Sequence, residues 1–181
     1  VDYANTFYRA RMGEKALTAF GFLASEHPPT NEVLEAIAER VANEHAVQKG
    51  NKERKLPEEE EINPDATMAT LIDVATDVLH HMDGVVHADA LVSVAHRVFK
   101  VRTGEDKEYG GVALVAGPMS EVEHRETNDT VEFLVALCHV AVSFGCDPVQ
   151  VLFDSMSSFE ETVEAERFER AARDREKRLN G

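Results

Sequence analysis

The 181-residue chain carries 34 Asp and Glu against 19 Lys and Arg, a net charge of −15. That surplus repels phosphate backbones and anionic lipid, so neither direct nucleic-acid binding nor membrane attachment is expected. Hydrophobic residues at 43% and charged residues at 29% fit a folded domain with a core and argue against wholesale disorder. No apolar run approaches the roughly 18 residues of a membrane span, and the first residues lack a basic-then-apolar leader. Cys138 and Cys146 are the only cysteines and lack metal-site spacing, so neither a disulfide framework nor a zinc finger is available. A reducing, cytoplasmic setting is expected.

In chain order, Tyr3, Phe7, Ala10, Leu17, Phe20 and Ala24 recur at helical period and predict a first helix from Tyr3 to Ser25. His27-Pro28-Pro29 ends it, because proline donates no backbone hydrogen bond. Asn31 reads as the N-cap of a second helix with Val33, Leu34, Ile37 and Val41 on its apolar face, stopped at Gly50. Residues 50–65, with four consecutive glutamates and two prolines, read as an exposed acidic linker.

Asn63-Pro64 then opens a third helix running to Met82, with Met68, Leu71, Ile72, Ala75, Val78 and Leu79 facing inward. A shorter fourth helix covers His87 to Phe99. Residues 100–117 combine glycines and β-branched residues and predict an irregular or β-hairpin segment. Ser120-x-x-Glu123 is a capping-box pattern. Residues 130–144, TVEFLVALCHVAVSF, are apolar nearly all round and mark a central buried helix ended by Gly145. Asp147-Pro148 opens a last helix with Leu152, Met156, Phe159 and Val163 as its core stripe. The expected fold is mainly α: a five- to six-helix bundle around residues 130–144, with 1–164 as one domain and 165–181 as a charged helical tail.

Four features bear on chemistry, and one of them is set aside, which leaves three groups of residues. Asp129-x-x-Glu132, with His139 two turns on, either holds Mg²⁺ through two carboxylates on one helix face or caps the helix, with Glu132 completing the box. Asp73, Asp77 and His80 or His81 share a face and form a possible mixed O/N metal set, followed by Asp83, His87 and Asp89. Asp73 and Asp77 also avoid the apolar stripe, as surface residues do, and histidines in a last helical turn suit its dipole without metal. Arg40-x-x-x-x-His45 has the spacing of helical ribonucleases of the HEPN class. Chance supplies that spacing in such a chain, and Val41 stands where a polar residue is preferred, so no catalysis is assigned to it.

The third group is Glu32-x-x-Glu35 with Glu39. Together with Asp129 and Glu132, and the stretch DTVEFLVALCHVAVSFGCDPVQVLF, it resembles the all-α nucleotide pyrophosphohydrolases related to MazG. The likeness covers about 25 residues, and the second acidic pair runs Asp-x-x-Glu, the reverse of the family order. It implies Mg²⁺ held by Glu32, Glu35, Asp129 and Glu132. A phosphate-binding loop, a GxSxG elbow and an HExxH motif are absent. The leading expectation is a non-catalytic, acidic helical protein without a cofactor, acting through contacts with a protein partner or with itself, or as a DNA mimic. The alternative is the Mg²⁺-dependent pyrophosphohydrolase, and no catalytic residue is assigned.

Overall fold

A computed structural model describes residues 3–50, 64–105 and 119–181. Six helices follow one another: α1 Tyr3–Ser25, α2 Asn31–Gln48, α3 Pro64–Met82, α4 Ala88–Arg102, α5 Glu121–Ser143 and α6 Pro148–Asn180. The described residues contain no strand, and the mainly helical, bundle-like expectation holds. None of these helices is long and apolar enough to cross a membrane. The β-hairpin has no support. Residues 100–102 complete α4, Thr103 caps it, and 106–118 lie outside the described residues. The linker at 51–63 lies outside them too.

Local chemistry sets most of the boundaries. Thr30, one residue before the expected cap, takes the N-cap of α2, its hydroxyl accepting from the Val33 amide at 3.3 Å. Ser120 caps α5 by accepting from the Glu123 amide, while its hydroxyl donates to the Glu123 carboxylate. That side-chain bond takes the place of the usual reciprocal bond to the cap amide. Asp147 accepts from the Val149 and Gln150 amides ahead of α6, with Pro148 in the first turn where no N–H is needed. Gly145, at φ 74, supplies the left-handed turn that ends α5.

The core is built on two central helices. α5 is two turns longer than the expected 130–144 segment and packs against α1, α2, α3, α4 and α6. α3 is as deeply placed, with residues 74–80 buried without interruption, and packs against α1, α2, α5 and α6. Phe20 of α1 meets Phe133 of α5 at 4.9 Å between ring centroids. Phe7, expected on the inner face of α1, is 71% exposed, and Met12, Ala16, Leu17 and Phe20 form the inner face. Beyond Phe159, α6 has no fully buried residue, and from 170 to 180 every residue is exposed.

α1 and α3 touch backbone to backbone. A Cβ added at Gly13 would lie 2.0 Å from the carbonyl oxygen of Asp77, so only glycine permits this approach. Gly13→Ala is expected to force the helices apart and to lower stability by about 1–3 kcal/mol, the usual cost of overpacking. Urea denaturation of both proteins measures it, and an unchanged midpoint would contradict the close approach.

Candidate functional site

Where α1, α2 and α3 meet, five ionisable side chains converge. Asp77 is fully buried, as is the ring of His45 but for a trace. His45 donates from Nε2 to Asp77 Oδ2 at 2.7 Å, and the Lys49 ammonium donates to the same oxygen at 2.9 Å. Arg9 reaches Asp77 Oδ1 at 3.3 Å. Lys49 also donates to Asp73 at 3.0 Å, so its ammonium sits between the two carboxylates. His45 Nδ1 lies 4.0 Å from Asp73 Oδ2 and has no hydrogen-bond partner.

The arrangement corrects two readings of the sequence. Asp73 and Asp77 are not surface residues, and His45, set aside above, is part of the network. His80 and His81 are not. His80 packs against Phe159 with the rings tilted and their centroids 4.8 Å apart, and His81 pairs with Glu126 at 3.2 Å. A sequence signal existed: Val74-Ala75-Thr76-Asp77-Val78-Leu79 is small or apolar on all sides, so an aspartate within it requires cationic partners.

Chemically, the cluster binds a cation. His45, Asp73 and Asp77 offer one imidazole nitrogen and two carboxylate oxygens within 4.8 Å of one another, a donor set that can hold a metal ion. Lys49 stands where such an ion would bind, and with Arg9 it balances both carboxylates when His45 is neutral. Removing one partner of a buried pair of this kind costs about 3–5 kcal/mol.

The four carboxylates Glu32, Glu35, Asp129 and Glu132 are not gathered. α2 does lie beside α5, yet no three of the four offer ligand atoms within 4.8 Å of one another. Glu35 accepts from the Ser143 hydroxyl near the end of α5. Glu32 is exposed on the first turn of α2. Glu132 forms a two-pronged pair with Arg102 of α4 at 2.6 and 2.7 Å. The capping reading of Asp129 is also corrected: α5 begins at Glu121, so Asp129 lies well inside it.

Asp129 instead lies against Gly21 of α1 at a groove of about 430 Å³, lined also by Phe22, His81, Val122, Arg125 and Glu126. Burial pushes its carboxyl above the usual carboxylate range, Glu126 and Glu132 add to the rise, and Arg125 opposes it. A second groove, of about 480 Å³, brings Asp83, His87 and Asp89 opposite Glu160, Glu164 and Arg167 of α6. Cys138 and Cys146 are free and buried, and burial pushes the Cys138 thiol up to about 12, so it is inert at neutral pH. No protein-family model, curated protein or solved structure matches the chain.

Two measurements follow. Lys49→Met removes the resident ammonium, so millimolar Mn²⁺ is expected to raise the melting temperature of the variant and not of the wild type. Saturation to 100 times Kd would add about 2.7 kcal/mol. A rise in the wild type alone would refute the placement of Lys49.

The second concerns His80. Burial lowers its pKa, with Arg9 adding to the effect and Asp77, Asp83 and Glu166 opposing it. The folded protein therefore holds this proton less tightly than the unfolded chain, whose histidine titrates near about 6.5. Its contribution is complete above that pH and is lost as the pH falls through it. Urea midpoints at pH 7.5 and 5.5 should fall for the wild type and fall less for His80→Phe; equal slopes would contradict the assignment.

Proposed function

We propose that the protein is a non-catalytic, acidic helical protein that works by contact with other proteins, itself included. One observation carries the reading. The 33-residue helix α6 still touches the body at Val163 and Arg167, then continues through 170–180 with every residue exposed. A helix of about a dozen residues without tertiary support is marginal in water. Phe168 and Leu179 on this extension are 77% and 80% exposed, apolar surface of the kind that contacts a partner. The internal balance of the Asp73/Asp77 cluster by Lys49 and Arg9 supports the non-catalytic part of the reading.

The test joins the double variant Phe168→Glu, Leu179→Glu to a crosslinking experiment on the tagged full chain. Crosslinks from the wild type should map to residues 165–180, and the variant should lose them without a change in melting temperature. Crosslinks confined to other surfaces, and kept by the variant, would overturn the reading.

The donor set of His45, Asp73 and Asp77 favours a second reading, a metal-dependent activity at that cluster once Lys49 withdraws. Incubation with each NTP and dNTP plus Mg²⁺ or Mn²⁺ decides it. Turnover that Asp77→Asn abolishes in a still-folded protein would replace the first reading.

A further inference from the structure

The groove between α1 and α5 and the tail of α6 complement each other in charge, apolar surface and length. We infer that the α6 tail of one copy seats in the α1/α5 groove of a second copy, with Arg175 on Asp129; this rests on the contact reading above and names its partner.

The groove supplies an anion with no directly bonded counterpart. Asp129 is half-buried and makes no hydrogen bond or ion pair with any described residue, and Arg125, one turn earlier on α5 at the same groove, acts on it only from a longer distance. Its carboxylate lies against bare backbone at Gly21, where an added Cβ would come within 2.6 Å of it. Phe22 and Val122, both exposed, line the same groove. A groove with a carboxylate, an aromatic ring and a branched aliphatic suits a guanidinium, which is planar, stacks on aromatic faces and pairs with carboxylate through two donors. Glu126, three residues before Asp129 and already bonded to His81, adds negative charge at the same wall.

The tail supplies the cation. Residues 170–178 hold Arg170, Arg173, Arg175, Lys177 and Arg178 against Asp174 and Glu176, a basic segment in a chain of net charge −15. Helical spacing places Phe168, Ala172, Arg175 and Leu179 in one stripe: apolar, small, cationic, apolar. The whole stripe from 168 to 179 is about 16 Å long at 1.5 Å per residue, so its end from 172 to 179, about 10 Å, fits the α1 wall of the groove, residues 17–25, about 12 Å long, and Phe168 lies beyond it.

The tail cannot serve its own groove. α6 is unbroken from Pro148 to Asn180, so its end points away from its own body and does not return to the groove of the same copy.

Sedimentation velocity of the full chain from about 1 to 200 μM, at 50 and 500 mM NaCl, tests the contact. The wild type should associate with concentration, more weakly at high salt. Arg175→Glu and Phe22→Glu, one on each side of the contact, should each weaken association at least tenfold with the melting temperature unchanged. Asp129→Arg should do the same, and combining it with Arg175→Asp in one chain should restore association. A wild type that stays monomeric throughout overturns the inference, as does association indifferent to all three single variants or a charge swap that restores nothing. If the tail variant Phe168→Glu, Leu179→Glu loses crosslinks to a different protein while the chain stays monomeric, the inference falls and the contact reading stands.

Discussion

A carboxylate without water is the constraint on which this bundle turns. Asp77 is fully buried beside three nitrogen donors, and those donors come from α1 and from α2 with its C-cap. An unpaired charge at that depth would cost several kcal/mol, so α1 must deliver Arg9, and α2 must deliver His45 and Lys49, to fixed places. The backbone obeys the same demand, since Gly13 lets α1 press on the carbonyl of Asp77 itself. Residue 77 therefore sets both the spacing of α1 and α3 and the azimuth of α2. Apolar packing alone would tolerate other rotations of these helices. The polar cluster does not, because a one-residue turn of α2 carries His45 and Lys49 away together.

The other central helix handles its polar groups differently. α5 carries Glu132, His139 and Ser143 on a partly exposed stripe facing α2 and α4. Each finds a partner there: Glu132 with Arg102, Ser143 with Glu35, and the His139 ring edge-on to Phe99 at 5.1 Å. Such half-exposed contacts contribute little individually. Their effect is to fix which face of α5 meets which neighbour, while Leu134, Leu137 and Ala141 supply the burial.

Much of this fold was legible, and the reason is local. Prolines at 28, 29 and 148, glycines at 50, 84 and 145, and the capping residues Ser120 and Asp147 mark helix ends within three residues, because each acts on backbone geometry at its own position. The site was not legible, because its members are far apart in sequence. His45 and Asp77 are 32 residues apart, and Arg9 and Asp77 are 68. Spacing arguments see only neighbours on one helix, so they grouped Asp77 with His80 and His81, which turn to Phe159 and Glu126 instead. They also read Asp129 as a cap, because a strongly apolar run begins just after it. The helix had already started at Glu121, on the weaker signal of Ser120 and Glu123.

The uneven distribution of charge along the chain carries the last step. Residues 160–169 hold five glutamates and one arginine, whereas 170–178 hold five basic residues and two acidic ones. A helix with basic residues toward its carboxyl end gains a little from its own dipole, about 0.3–1 kcal/mol at low salt and confined to the last turn. Arg170 and Arg173 lie beyond that range. Arg170 pairs with Glu166 at 2.7 Å, at a few tenths of a kcal/mol, and Arg173 has an interaction of its own. Arg175, between Phe168 and Leu179 on the stripe, is left unexplained by the helix's own stability. The reversal of sign at the exposed end, beside two exposed apolar side chains, is what an acidic partner surface requires, and the body of a second copy offers one.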